Sequence, residues 1–150
     1  MVCLGNICRS PMAEGLMQAK INKYNLDAEV DSAGFERFHT GDGPDFRAVR
    51  AMKKHGIDIS HQSARLFKKA DFDEFDLIYV MDSDNYSDVQ SVAGTPEQML
   101  KADFILNVTF PGSNKPVPDP YYGGDEGFEK TYQLLNDATE AIALKIKNGG

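Results

Sequence analysis

A cysteine and an arginine lie six positions apart near the start of the chain, and the residues between them suit a tight loop. Cys3 supplies a nucleophilic sulfur, and Arg9 supplies a planar guanidinium that can hold two phosphate oxygens at once. Gly5 and Asn6 tolerate the left-handed backbone that such a loop needs. Ser10 can direct its hydroxyl back toward Cys3. This combination indicates a loop that binds phosphate and attacks it with a thiolate.

The flanking sequence predicts that this loop joins a strand to a helix. Residues 1–4 are expected to form the end of a strand, Ser10 is a candidate helix N-cap, and Pro11 suits the first helical position. Unpaired backbone N–H groups and the helix dipole favour an anion at a helix N-terminus. The same position stabilises a thiolate. Fixed amides and Arg9 would therefore stabilise a phosphoryl transition state without a metal ion.

The rest of the chain alternates strand-like and helix-like segments. Such alternation predicts an α/β fold: a three-layer, doubly wound domain with a central four-stranded parallel sheet. Ligands bind such sheets beyond the carboxyl ends of the strands, so the phosphate-binding loop between strand 1 and helix 1 is the expected site. Strands are predicted at 1–4, 29–32, 77–81 and 103–108, with a further short candidate at 64–67, and a closing amphipathic helix at 128–147.

Length and charge limit the classes of protein. The 150 residues suit a single domain, 1–150, and the net charge of −7 disfavours nucleic acid or an anionic membrane as a partner. No apolar run is long enough to span a bilayer, and no secretory signal is visible. Two cysteines fit a reduced compartment better than a disulfide scaffold, so we expect a cytoplasmic protein. No zinc-ligand spacing occurs, and neither a metal nor an organic cofactor is expected.

Residues 2–11, Val-Cys-Leu-Gly-Asn-Ile-Cys-Arg-Ser-Pro, resemble the signature of the low-molecular-weight protein tyrosine phosphatases. The resemblance covers essentially the whole chain and implies hydrolysis of phosphotyrosine in a protein partner, through a cysteinyl-phosphate intermediate. Phosphate or sulfate would also occupy the loop. Further matches occur in the family's order at Asp31-Ser32, Pro44-Asp45, Arg47-Ala48, His55-Gly56-Ile57, Met81-Asp82 and Asp119-Pro120-Tyr121-Tyr122.

The resemblance assigns roles within the loop. Cys3 would be the nucleophile, Arg9 would bind phosphate, and Ser10 would assist the thiolate. In this family Cys8 can also pair with Cys3 under oxidant, which would silence the enzyme reversibly. The loop residues that would surround the substrate are Leu4, Gly5, Asn6, Ile7 and Cys8.

Asp119 lies between two prolines, which restrict its backbone. Taken alone, an aspartate there is more often a turn residue, but the resemblance implies a general acid that later acts as a base. Tyr121 and Tyr122 follow as a candidate aromatic wall. Phe38 occupies a loop position where family members carry a bulky residue. We expect Phe38 and Tyr121 to form two sides of a slot for phosphotyrosine.

Three other residues resemble family positions near the loop. Ser32 and His61 match residues of a hydrogen-bond network that supports Asn6, and a buried structural role is the alternative for His61. Asp82 matches an aspartate at the base of the loop, where capping of the next helix is the alternative.

Three alternative functions remain. Arsenate reductases of this fold use additional distant cysteines, and the chain has none beyond Cys8. Phosphoarginine phosphatases carry Thr where this chain has Ile7. A non-catalytic phosphate-binding module would be expected to lack the nucleophile or the acid, yet Cys3, Arg9 and Asp119 are all present.

Only Met1 and Val2 precede Cys3, whereas family members usually have a longer apolar first strand. We therefore expect either a short first strand or residues upstream of Met1.

Overall fold

The computed structural model describes residues 1–149, apart from the side chain of Tyr122. Two strands, β1 (Ile78–Val80) and β2 (Ala102–Phe104), pair in parallel with Val80 opposite Phe104. Single parallel bridges extend this pairing, since Val2 bridges both Ala33 and Val80. A further parallel bridge joins Gly34 to Leu66. Parallel strands connected by helices confirm the predicted α/β class.

The strands are shorter than the sequence predicts. The segments predicted at 29–32 and 64–67 contribute only bridges at or just beyond their ends, and the segment predicted at 103–108 leaves the sheet after Phe104. A 3₁₀ turn, Ile105–Asn107, follows because Asp103 accepts hydrogen bonds from Phe104 N and Asn107 Nδ2, which favours a turn over further extension.

Six helices surround the sheet segments in the described part of the chain. They are α1 (Arg9–Tyr24), α2 (Phe46–Lys53), α3 (Asp71–Glu74), α4 (Ser83–Val92), α5 (Pro96–Met99) and α6 (Gly124–Lys147). Short 3₁₀ turns lie at Arg37–His39 and Pro120–Tyr122. No helix of the described residues is long and apolar enough to cross a membrane.

The start of α1 differs from the prediction. Cys8 occupies the N-cap position without a side-chain cap, and Ser10 is already inside the helix. The Ser10 hydroxyl does not cap the helix because it is engaged by Cys3 and Asn6. The first turn of α1 is therefore hydrogen-bonded to the phosphate-binding loop through Ser10.

Two sets of buried apolar side chains pack against β1. Because alternate residues of a strand face opposite sides, Ile78 and Val80 pack with one set and Tyr79 with the other. The larger set joins α1 to α6 through Met12, Leu16, Leu135 and Ile142. The smaller set includes Phe72 from α3 and Val89 from α4.

Candidate active site

The loop between Val2 and α1 forms the floor of an open cavity of about 230 Å³. Five other residues of the described chain contribute to its rim from two further segments. The residues lining the cavity are Cys3, Leu4, Gly5, Ile7, Cys8 and Arg9 from the loop, Glu36, Phe38 and His39 from the turn after Phe35, and Asp119 and Tyr121 from the turn before α6. The structure thus brings the predicted nucleophile, arginine and acid to one cavity.

Cys3 lies directly after the bridge made by Val2, and its backbone N–H donates to Ala33 O at 3.3 Å. The side chain is buried, with Sγ 3.0 Å from Ser10 Oγ. A hydroxyl at this distance can donate a hydrogen bond to a thiolate. The α1 N-terminus that begins one residue after Cys8 also favours negative charge at this end of the loop.

Asn6 fixes the curvature of the loop. Its φ of 56° is in the left-handed region, and its side chain is buried. The amide Nδ2 donates to Ser10 Oγ at 2.8 Å and to Ser32 Oγ at 2.9 Å, while Oδ1 accepts from Arg65 N at 3.0 Å. Every group of the Asn6 side chain is therefore used to hold the loop.

Ser32 belongs to this network as the resemblance implied, but His61 does not. Ser32 Oγ donates to Glu14 Oε1 at 2.7 Å, and burial raises the pKa of Glu14. His61 is exposed and makes no hydrogen bond to Asn6 or Ser32. The backbone N–H of Arg65 supplies the remaining donor, and a backbone donor of this kind leaves no signal in the sequence.

Arg9 is 4% exposed and is held on two sides. Its Nη1 donates to Asp82 Oδ2 at 2.8 Å and to Val117 O at 3.0 Å. Asp82 also accepts a hydrogen bond from Asn85 N and so caps α4. Asp82 therefore has both of the roles considered for it, at the base of the loop and as a helix cap. The Val117 carbonyl was not identifiable from the sequence.

Asp119 approaches the cavity from the turn before α6. Its Oδ2 lies 3.7 Å from Arg9 Nη2, and its Oδ1 accepts from Tyr121 N at 3.0 Å. The side chain is 40% exposed, which leaves it accessible to a substrate. The carboxyl group is thus close to the phosphate-binding loop without being part of it.

Phe38 and Tyr121 both line the cavity, as expected for two sides of a slot. They are 73% and 43% exposed, respectively. The Phe38 ring packs on His39, with 4.2 Å between ring centroids. Glu36 and His39 also line the cavity, and the sequence analysis missed both. The prediction for the Tyr122 side chain lies outside the described residues.

Cys8 is a free, buried thiol, as is Cys3. Burial raises the pKa of the Cys8 thiol well above its usual range, and the nearby carboxylate of Asp45 adds to the shift. The two cysteines of one loop therefore occupy different environments. No group of three or more His, Cys, Asp or Glu side chains within residues 1–149 is arranged to hold a metal ion.

Comparison with known proteins agrees with this geometry. The family model described as low molecular weight phosphotyrosine protein phosphatase matches residues 1–149. Low molecular weight phosphotyrosine protein phosphatase 1 of Drosophila melanogaster is 44% identical over 138 residues, which are 89% of this chain and 86% of the relative.

Solved structures show the same similarity. A protein tyrosine phosphatase from Entamoeba histolytica, with Hepes in its active site, superposes with a TM-score of 0.90 and 35% identity, over 99% of this chain and 95% of that one. Vibrio vulnificus Wzb in complex with benzylphosphonate has a TM-score of 0.85 and 30% identity, over 96% of this chain and 94% of that one. The chain belongs to the low molecular weight phosphotyrosine protein phosphatase family. The predicted family and enzyme class are thereby confirmed.

Proposed function

We propose that this protein hydrolyses phosphotyrosine in a protein partner, with Cys3 as the nucleophile. The observation that carries the proposal is the position of Cys3 Sγ beside Ser10 in a cavity that Arg9 and Asp119 share. A loop of amides, a fixed guanidinium and a nearby carboxyl group are the parts that phosphoryl transfer without a metal requires.

Binding of the phosphate would use the backbone amides of the loop and Arg9. The amides belong to Leu4, Gly5, Asn6, Ile7 and Cys8. Arg9 would hold two phosphate oxygens while Asp82 and Val117 keep its guanidinium oriented. Phosphate or sulfate alone would occupy the same loop.

The first chemical step transfers the phosphoryl group to sulfur. The Cys3 thiolate attacks phosphorus, the S–P bond forms, and the P–O bond to the phenol breaks. Asp119 in its acid form donates its proton to the departing phenolate oxygen. Arg9 and the loop amides stabilise the charge on the equatorial oxygens.

The second step hydrolyses the cysteinyl phosphate. Asp119, now a carboxylate, takes a proton from water while the water oxygen attacks phosphorus. The S–P bond breaks, and the Ser10 hydroxyl stabilises the departing Cys3 thiolate through the 3.0 Å contact. Phosphate is released, and both Cys3 and Asp119 return to their starting states.

Selectivity for an aromatic substrate would come from Phe38 and Tyr121. The two rings line the mouth of the cavity and can pack against a flat phenyl group. Tyr122 would extend this wall. A shorter phosphoserine side chain would reach the floor of the same cavity poorly.

The architecture supports four further proposals. The Val2 and Ala33 bridges on one side of β1 and β2 support a four-stranded parallel sheet in a three-layer, doubly wound fold. Residues 1–150 would form one domain around it. The two free thiols support a reduced, cytoplasmic location, where oxidant would join Cys3 to Cys8.

The test is hydrolysis of p-nitrophenyl phosphate and a phosphotyrosine peptide in excess chelator, by the parent and by Cys3→Ser. We expect activity in the parent, none in Cys3→Ser, and vanadate binding with an unchanged melting temperature in both. A folded parent that binds vanadate but hydrolyses neither substrate would favour a binding module. Preference for a phosphoarginine peptide would instead favour the arginine phosphatase alternative.

A further inference from the structure

We propose that Arg47, on α2, is a positioning residue that holds the Asp119 turn against the phosphate-binding loop. The proposal rests on the proposed function, because it assigns Arg47 to the step in which Asp119 donates a proton. Arg47 does not line the cavity, so it would act through the residues it contacts.

On one side, Arg47 holds the turn that carries the acid. Nη1 donates to Tyr121 O at 2.9 Å, and Tyr121 N in turn donates to Asp119 Oδ1 at 3.0 Å. The guanidinium also lies over the Tyr121 ring and the Phe128 ring, 5.0 Å and 5.1 Å from their centroids. Hydrogen bonding and cation–π contacts therefore fix the same short segment.

On the other side, Arg47 is tied to the phosphate-binding loop through Asp45. Nε and Nη2 donate to the two Asp45 carboxylate oxygens, each at 3.0 Å. The backbone N–H of Asp45 donates to Ile7 O at 2.8 Å. A continuous set of contacts thus runs from Ile7 through Asp45, Arg47 and Tyr121 to Asp119.

The Asp119 turn needs such support because its other contact with the loop is weak. Asp119 lies 3.7 Å from Arg9, and a bound phosphate would occupy the Arg9 guanidinium. A general acid must stay within hydrogen-bond reach of the oxygen it protonates. A displacement of about 1 Å can lower the rate by on the order of a hundredfold.

The alternative is that Arg47 only stabilises the packing of α2 against α6. The chain offers a matched control for that role: Arg50, three residues further along α2. Arg50 Nη2 forms an exposed ion pair with Asp125 Oδ1 at 2.5 Å, at the start of α6 and beyond the Asp119 turn. A purely structural role would make the two arginines behave alike.

The experiment compares kcat/KM for p-nitrophenyl phosphate and phenyl phosphate in Arg47→Ala, Arg47→Lys and Arg50→Ala. Phenolate is a stronger base than p-nitrophenolate and therefore a poorer leaving group. Hydrolysis of phenyl phosphate thus depends more on proton donation by Asp119 than hydrolysis of p-nitrophenyl phosphate does. We expect Arg47→Ala to lower kcat/KM for phenyl phosphate about tenfold more than for p-nitrophenyl phosphate. Arg47→Lys should shift the ratio in the same direction, because an ammonium lacks the planar fork that makes the three side-chain hydrogen bonds of Arg47 at once. Arg50→Ala should leave the ratio unchanged.

Two further measurements separate positioning from folding. In an Asp119→Asn background, Arg47→Ala should add no further dependence on the leaving group. Backbone hydrogen exchange at Tyr121 should accelerate in Arg47→Ala by more than exchange in the core of α6 does, and Arg50→Ala should change neither.

Equal losses for the two esters in Arg47→Ala, or unchanged exchange at Tyr121, would overturn the role of Arg47 while leaving the proposed function intact. A folded parent inactive on both esters would overturn the proposed function, and the role of Arg47 in proton donation with it.

Discussion

Cys3 and Cys8 show how the environment of a side chain decides its chemistry. Both are buried thiols of one loop, but Cys3 Sγ has a hydroxyl partner in Ser10. Burial and the Asp45 carboxylate keep Cys8 in its neutral form. The thiolate is the reactive form of a cysteine, so Cys8 is expected to react slowly near neutral pH.

Alkylation tests this difference. Iodoacetamide at pH 7, followed by peptide mapping with mass spectrometry, should label Cys3 several-fold faster than Cys8. Inorganic phosphate should protect Cys3 by occupying the loop. Equal labelling of the two thiols, or labelling of Cys8 first, would contradict the assignment.

The Asp45–Arg47 pair predicts a pH dependence of stability. Hydrogen bonds from Arg47 hold the pKa of Asp45 below its usual range. A carboxyl with a lowered folded-state pKa contributes stability above its unfolded pKa of about 4, and this contribution disappears as the pH falls through the folded value.

Chemical denaturation checks this prediction. Asp45→Asn should lower the free energy of unfolding relative to the parent at pH 7, and the difference should shrink as the pH falls below about 4. If the difference in the free energy of unfolding is the same at pH 7 and below about pH 4, the fold does not stabilise the ionised form of Asp45.

At the scale of residues, the sequence predicts the groups that carry chemistry but not the backbone atoms that orient them. Cys3, Arg9 and Ser10 are recognisable because they are close together in one motif. Arg65 N and Val117 O are invisible, since every residue type presents the same backbone groups and only the fold brings these to the site.

At the scale of elements, the loop depends on the neighbouring extended segment as much as on α1. A Cβ at Gly34 would lie 2.8 Å from Leu4 O and 2.9 Å from Asn6 N. Phe35 N donates to Leu4 O at 2.7 Å, which keeps the two segments in close approach. Only glycine leaves room for the backbone of the loop at this point.

Gly34→Ala should therefore distort the loop. We expect a loss of about 1–3 kcal/mol in the free energy of unfolding and weaker inhibition by inorganic phosphate. Gly43→Ala is the control, because a Cβ at Gly43 would meet no atom within 4 Å. Similar stability and phosphate inhibition in the two variants would argue against the close approach.

Helices were easier to predict than strands. The long final helix follows from its amphipathic pattern, and the structure confirms it. Strand lengths depend on pairing with distant segments, as in the single bridges of Val2 and Leu66. Local sequence does not encode where such pairing stops.

At the scale of the whole molecule, the packing of α1 against α6 holds the two segments that carry the site. Leu135 of α6 is fully buried in the apolar set that also contains Met12 and Leu16 of α1. α1 starts at the phosphate-binding loop and α6 follows the Asp119 turn, so this core fixes both halves of the site relative to each other.

A pair of leucines in α6 tests the contribution of this core. Leu135→Ala should lower the free energy of unfolding by about 2–5 kcal/mol because it leaves a cavity. Leu144→Ala, at a position that is 40% exposed, should cost less than about 1 kcal/mol. Thermal or denaturant unfolding measures both, and equal losses would mean that Leu135 is not a core residue.

The most direct test of the account is detection of the covalent intermediate. A rapid acid quench during turnover of p-nitrophenyl phosphate by Asp119→Asn, followed by peptide mapping, should find one phosphoryl group on Cys3, because loss of the base slows its hydrolysis. The label should be absent from Cys3→Ser. Turnover by Asp119→Asn without any phosphoryl group on Cys3, or with one on a different residue, would contradict the central claim.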